Sequence, residues 1–323
     1  MTRLAGGRNG CFPPAALQRH RPFTQGPPVK RIGQRPQRTL ARPASLQGTG
    51  FLTGSRVRIT FRPAPPDTGL VFERTDARKP VILPAHWEQV TGTNRRTTLG
   101  PKDGQVGLVE HVLAALAGLR IDNCLIELNC SEPPGFDGSA SALVEALQNA
   151  GATIQSSPRA IWSVTDPVTV SEGFATLTLH PAATDELRIS YFLDYGHDSY
   201  IPSQKYSQTI TPQIFAGEIA NCRTFVLDFE AEQLQRQGMG LHVTPADILV
   251  FGPQGPINNR LRYADEPARH KVLDLIGDAA LFGMDLRGHL IGCRSGHPLN
   301  VELIRTLARR LEEREPAYSI RVA

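Results

Sequence analysis

Apolar and polar residues alternate with period two over 57–62 (Val-Arg-Ile-Thr-Phe-Arg), the mark of a strand with one face buried. A proline-rich turn cluster follows over 63–69, then a second apolar stretch over 69–75, so the pair reads as a β-hairpin. The period changes to about 3.6 at Glu110-His-Val-Leu-Ala-Ala-Leu-Ala-Gly118, which predicts a helix with Gly118 as its C-cap. Residues 124–129 read as a strand, and Asp137-Gly-Ser-Ala opens a helix over 140–150 that Gly151 closes. Further along, strands are expected over 161–170, 175–180, 187–192, 206–211, 248–251 and 288–292, with a short extended stretch at 222–226. Helices are expected over 212–220, 229–237, 267–282 (the longest) and 300–314, with a turn at Ser295-Gly296-His297.

Each half thus runs through strands, a helix with a charged start, a strand and another helix. This predicts an α+β fold built as an internal pseudo-repeat of two units. Residues 1–38 fit neither period and are rich in Pro, Gly, Arg and Gln, the composition of a disordered segment. The expected organisation is a basic disordered leader over 1–36, an N-terminal α+β domain over 37–158 and a C-terminal α+β domain over 159–323.

Composition supports this division. A length of 323 residues suits two domains, and 40% apolar residues supply their cores. No apolar run approaches the ~20 residues of a membrane span, so no stable membrane insertion is expected. Five scattered cysteines (Cys11, Cys124, Cys130, Cys222, Cys293) form no CxxC pair, which favours reduced thiols and a cytoplasmic location over a disulfide framework. The net charge of +4 conceals an asymmetry: residues 1–38 hold eight Lys and Arg and no acid, so the remainder carries 4 − 8 = −4. The basic surplus belongs to the leader. Such a leader also fits an organellar transit peptide. A nucleic-acid role would rest on it alone, and no nucleic-acid partner is expected.

Candidate chemistry begins at Arg269-His270-Lys271-Val-Leu-Asp274-Leu-Ile-Gly-Asp278. His270 and Asp274 are four apart, one turn up the same helical face, where an imidazole nitrogen and a carboxylate oxygen can hold one Zn²⁺. The same spacing also describes an ordinary surface pair. Glu110-His111, at the start of the first half's charged helix, adds a third ligand and an adjacent carboxylate. Three protein ligands leave one coordination position for water, and a neighbouring carboxylate that does not ligate can take its proton. Ser295-Gly296-His297-Pro-Leu-Asn300 puts a histidine where it can act as an acid, and Asp278 can hold its other ring nitrogen. Cys222-Arg-Thr224-Phe225 supplies a hydroxyl and an aromatic face. There is no P-loop and no GxGxxG.

Taken in order and spacing, these motifs resemble those of the UDP-3-O-acyl-N-acetylglucosamine deacetylases, zinc amidases of lipid A biosynthesis. The resemblance covers about residues 36–313, through Gln37-Arg-Thr-Leu40, Arg62-Pro-Ala-Pro65, Arg74-Thr-Asp76, residues 109–123, Asp137-Gly-Ser-Ala140, Arg223-Thr-Phe225, residues 269–278 and Ser295-Gly-His297. It implies a two-domain sandwich, each domain a β-sheet packed on helices, with the active site between the helical layers. It implies His111, His270 and Asp274 as ligands of Zn²⁺, a set that can also take Fe²⁺. Glu110 would be the general base, His297 the general acid held by Asp278, Thr224 an oxyanion donor, and Lys271 a neighbour of the substrate. Phe225, Tyr195, Asp194 and Arg294 occupy positions resembling the nucleotide-sugar contacts, Tyr195 where the family usually has Phe.

The implied reaction is hydrolysis of the N-acetyl amide of UDP-3-O-(3-hydroxyacyl)-N-acetylglucosamine by a monomer. The implied partner is that UDP-linked acyl-glucosamine. Two departures stand out. The family's Gly-Leu-His-x-Gly is Gly50-Phe-Leu-Thr-Gly54 here, and its Leu-Gly-Gly-Ser stretch is Gly238-Met-Gly-Leu-His242-Val243-Thr-Pro-Ala246. Bulk at His242 and Val243 is expected to narrow or re-route the acyl passage, which leaves room for an altered amide substrate. A non-catalytic zinc protein is the reading of a different class.

Overall fold

The computed structural model describes residues 29–76 and 80–313. In chain order its strands and helices begin with β1 (Val29–Leu40), β2 (Ala44–Thr49), β3 (Arg56–Pro63), β4 (Leu70–Arg74) and β5 (Val81–Pro84). Three short strands follow, β6 (Val90–Gly92), β7 (Thr98–Leu99) and β8 (Val106–Gly107), and then α1 (Glu110–Gly118), β9 (Cys124–Leu128) and α2 (Ser141–Ala150). The chain continues through β10 (Ala152–Val164), β11 (Val168–Glu172), β12 (Ala175–His180), β13 (Leu187–Leu193) and β14 (Gln204–Thr209). Next come α3 (Pro212–Ile214), which runs on as a π-helical turn over Phe215–Ile219, β15 (Phe225–Leu227), α4 (Asp228–Arg236), β16 (Leu249–Gly252) and β17 (Gly255–Pro256). The last elements are α5 (Glu266–Ala280), β18 (Asp285–Leu286), β19 (Gly288–Cys293) and α6 (His297–Glu312).

Two five-stranded sheets carry the fold, in the orders β2-β3-β9-β4-β5 and β11-β12-β19-β13-β14. Their pairing senses correspond strand for strand. β3–β9 and β12–β19 are antiparallel, whereas β4–β9 and β13–β19 are parallel. A parallel neighbour requires a crossover connection, and α1 supplies it in the first unit, α5 in the second. The expected internal repeat is therefore present. The expected hairpin over 57–75 is not: β9 lies between β3 and β4 and pairs with both. The expected strand over 161–170 is two strands, β10 and β11, in different sheets.

A third sheet, β1-β10-β18, joins the units. β1 pairs antiparallel with β10 along nearly its whole length. Residues 29–36, read from sequence as part of a disordered leader, thus form the first two thirds of an edge strand. Pro36 is accommodated because an edge strand can spare a ladder hydrogen bond. Residues 1–28 lie outside the described residues. The expected domain boundary at 158/159 falls inside β10. We propose that the division into two units stands, with β10 shared at the seam.

The helices α1 and α5 are the centre of the core. Val112, Leu113, Ala114, Ala115 and Leu116 are all fully buried, as are Val272 and Leu273. A helix buried all round must be short-chained where it meets another backbone. Gly277 meets that need: a Cβ there would overlap the Glu110 carbonyl oxygen, so α1 and α5 touch main chain to main chain. Gly118 has a similar role rather than the capping one expected. A Cβ on it would overlap the Phe215 ring, and the left-handed position that ends α1 is Arg120 (φ 57°). There the Arg120 N–H donates to Ala117 O and the Ile121 N–H to Leu116 O, a Schellman ending.

Candidate active site

Two helix starts and one helix body bring the predicted side chains together. Glu110 and His111 open α1, His297 opens α6, and α5 presents His270, Lys271, Asp274 and Asp278 along one stripe. The expected turn at His297 is the first residue of a helix with Pro298 in its first turn, a normal helix opening, and the ring is buried rather than solvated. α6, with 16 residues, is one longer than α5, with 15. Ten of the twelve candidate residues line one cavity: Glu110, His111, Asp194, Tyr195, Thr224, Phe225, Lys271, Asp274, Arg294 and His297. The other two, His270 and Asp278, stand behind it, each bonded to a neighbour described below.

The candidate ligand atoms of His111, His270 and Asp274 lie within 4.8 Å of one another. Asp274 Oδ1 is 3.3 Å from His270 Nε2 and 3.7 Å from His111 Nε2. His270 Nδ1 stands 3.0 Å from the Cys222 carbonyl oxygen, which can only accept, so Nδ1 carries the proton. Burial depresses the His270 imidazolium to a pKa of about 4, with the Asp274 charge opposing, so the ring is neutral. Its Nε2 lone pair then faces a carboxylate oxygen. Asp274 is buried, which opposes ionisation, yet the Lys271 ammonium beside it helps hold its carboxyl well below the usual range. Lys271 Nζ donates to Oδ2 at 2.9 Å, which leaves Oδ1 as the free oxygen. Two imidazole nitrogens and a carboxylate oxygen converge, a donor set that a divalent cation fits.

Beside this set stands an acid–base pair. Burial pushes the Glu110 carboxyl up, against the pull of His297 and His111. Glu110 Oε2 accepts the Thr97 N–H at 3.0 Å. His297 Nδ1 donates to Asp278 Oδ2 at 2.8 Å. Burial would lower the His297 pKa, but the Asp278 carboxylate outweighs it and brings the ring to about 9. Two residues without any signature in the sequence complete this pair. Thr97 Oγ1 donates to Asp278 Oδ1 at 2.6 Å, and Asn300 Nδ2 to Asp278 Oδ2 at 2.9 Å. Thr97 thus touches both halves of the pair.

The rim is aromatic and charged. The Phe225 ring meets Tyr195 edge-on with centroids 6.2 Å apart, and Lys271 Nζ lies 5.6 Å over the same ring. Asp194 is paired with Arg294. The Arg223-Thr-Phe segment is fixed from behind. Arg223 makes a buried bidentate pair with Glu266, at 2.8 and 3.0 Å, and the Thr224 N–H donates to Gly138 O. Gly138 (φ 80°) tolerates no side chain, since a Cβ would come within 2.8 Å of Asp247 O. The Asp137-Gly-Ser motif is therefore a brace for Thr224.

Neither His242 nor Val243 lines this cavity. His242 Nε2 instead donates to Gly50 O at 2.8 Å. From the other side the buried Glu132 carboxylate accepts the N–H groups of Leu52 and Thr53. The loop over 50–54 is thereby pinned, and its Phe51 contributes to the cavity wall.

A cavity with two histidines and an aspartate converging beside an uncommitted acid and base has the chemistry of a metal-dependent hydrolase. A family model described as UDP-3-O-acyl N-acetylglycosamine deacetylase matches residues 37–309. The chain is 41% identical over 270 residues to the UDP-3-O-acyl-N-acetylglucosamine deacetylase of Myxococcus xanthus, covering 83% of this chain and 85% of the relative. It is 38% identical over 288 residues to the enzyme of that name from Oleidesulfovibrio alaskensis (88% and 92%) and 37% identical over 275 residues to that of Citrifermentans bemidjiense (85% and 89%). The chain belongs to the UDP-3-O-acyl-N-acetylglucosamine deacetylase family, a family of metalloamidases.

Proposed function

We propose that this chain removes the N-acetyl group of UDP-3-O-(3-hydroxyacyl)-N-acetylglucosamine, releasing acetate and the free amine, as a step of lipid A biosynthesis. The observation that carries the reading is the convergence of His111, His270 and Asp274 beside Glu110 and His297 in one cavity. His111, His270 and Asp274 would hold Zn²⁺, a set Fe²⁺ also suits. When bound, such an ion polarises the amide carbonyl and acidifies water.

The chain's own groups divide the remaining work. Glu110, its basicity raised by burial, takes a proton from the attacking water. The Thr224 hydroxyl donates to the oxyanion that develops on the carbonyl oxygen. His297, kept protonated by Asp278, delivers a proton to the departing amine nitrogen, without which the C–N bond of an amide does not break. Lys271 neutralises Asp274 and borders the substrate, while Phe225, Tyr195 and the Asp194–Arg294 pair receive the nucleotide sugar. The described helices include none long and apolar enough to cross a membrane, and the four described cysteines are free, which supports action in the cytoplasm.

The test is deacetylation of this substrate by the purified protein, with metal counted before and after chelation. One ion per chain, turnover lost on chelation and restored by Zn²⁺ are expected. Stoichiometric metal with no turnover across several acyl lengths would overturn the assigned substrate.

A further inference from the structure

A second cavity, of about 450 Å³, lies at the other ends of the two central helices. That volume falls in the range of small-molecule sites, ~300–1,000 Å³. Ala117 and Gly118 of α1 and Ile276 and Ala280 of α5 line it, whereas the deacetylase site uses the first residue pair of α1 and the stripe of α5 from His270. Leu187 and Ile210 extend its apolar wall.

The facing wall is rich in arginine. Five arginines (Arg31, Arg35, Arg120, Arg159, Arg287) line the cavity against three aspartates (Asp67, Asp122, Asp285). Arg35 and Arg159 are consumed by Asp122 and Asp285. Asp67 is engaged by Gln37 and Ser157. Among the described residues Arg120 makes no ion pair and no side-chain hydrogen bond, and burial together with the Arg287 and Arg35 charges lowers its pKa. Arg287 is 7% exposed; its Nη1 donates to the Leu286 carbonyl oxygen at 2.9 Å and its Nη2 reaches Asp285 Oδ2 at 3.4 Å, while its buried Nε makes no hydrogen bond and stands 3.6 Å from Asp185. His86, 5% exposed on the same cavity, has a buried Nε2 without a partner; its other nitrogen lies 3.3 Å from Glu88.

Arg120 also sits where the backbone favours glycine. It is the left-handed residue of the Schellman ending of α1 (φ 57°). A long cationic side chain there costs backbone energy that glycine would not, and nothing in the fold uses its charge.

We propose that this cavity is a second ligand site for a single-chain amphiphile whose phosphate or carboxylate head meets Arg120 and Arg287 and whose chain lies on the Ile and Leu wall. A charge-assisted contact is worth about 1.5–3 kcal/mol, or roughly 10–100-fold in affinity.

The test titrates the full, metal-loaded chain with decyl phosphate, decanoate, decanol and inorganic phosphate below micelle-forming concentrations. Calorimetry and tryptophan fluorescence are the readouts. Trp87 follows His86, and the Trp162 carbonyl accepts the Arg287 N–H, so both tryptophans flank the site. One equivalent of decyl phosphate or decanoate is expected to bind, the tighter of the two naming the head group, with decanol and phosphate at least about tenfold weaker. Arg120→Gly, which relieves the backbone, is expected to weaken binding about 10–100-fold with unchanged melting temperature or a raised one, and unchanged turnover. Arg120→Lys should recover part of the affinity. Absence of binding, binding indifferent to Arg120→Gly, or binding displaced by the acylated substrate would each overturn the proposal.

Discussion

The molecule buries two clusters of charge, and they are built on opposite rules. At the seam, Arg35 from β1 and Arg159 from β10 clasp Asp122 of the first unit and Asp285 of the second. Arg35 spans both carboxylates at 2.7–2.9 Å, and Arg159 reaches Asp285 at 2.7 Å and Asp122 at 3.0 Å. Two arginines clasp two carboxylates, and Arg287 Nη2 adds a longer contact to Asp285 at 3.4 Å. Between α1 and α5, three carboxylates (Glu110, Asp274, Asp278) face one lysine and one imidazolium, and a neutral imidazole turns its lone pair on an oxygen. The difference separates a joint from a reaction centre. Buried charge that closes on itself holds the halves in register; buried charge left open by one positive partner is poised to take a cation and a substrate.

If that contrast is right, Glu110→Gln should cost turnover by about 10²–10⁴ while metal stoichiometry and unfolding stability stay near those of the parent, because the side chain keeps its shape and loses only its basicity. Turnover and metal falling together would instead make Glu110 a ligand. The reverse pattern is expected at the seam. Asp285→Asn leaves Arg35 and Arg159 short of one buried partner, so unfolding in denaturant should show a loss of about 3–5 kcal/mol with KM for the substrate unmoved. A change in kcat alone, with stability intact, would erase the distinction between the clusters.

The smallest effect is a matter of pH. Burial raises the Asp285 carboxyl, but the Arg159 and Arg35 charges win and hold it below the usual carboxylate range. Its contribution to stability is therefore complete above about pH 4, the unfolded value, and is lost as pH falls through the folded one. The slope of unfolding free energy against pH below 4 should flatten in Asp285→Asn; an unchanged slope would place the acid-sensitive groups elsewhere.

Both units were legible where the signal is local. Alternation over 57–62 and helical spacing over 110–118 predicted β3 and α1 because each element shows one repeating face to the core. The hairpin was misread because pairing is not local: β9, some fifty residues on, has the better claim to the space between β3 and β4. Residues 29–36 looked patternless because an edge strand buries only every few residues, with its arginines directed outward or into the seam. Among the site residues, His270 and Asp274 announced themselves by spacing, Glu110, His111, Asp278, His297, Thr224 and Phe225 by their local motifs, and Lys271, Tyr195, Asp194 and Arg294 by resemblance. Thr97 carried no signal, since a lone threonine acquires its role only when a distant aspartate arrives against it.

The main-chain contact of Gly277 with Glu110 also orders events in time. His111 and Asp274, 3.7 Å apart in space, are separated by 274 − 111 = 163 positions along the chain. The first unit supplies only His111 of the three proposed metal ligands. The remaining two arrive together on α5, after nearly the whole second sheet has been synthesised. On the proposed ligand set, a chain stalled or truncated before residue 270 would carry only one of the three ligands, so metal capture would wait for most of the second unit to be made.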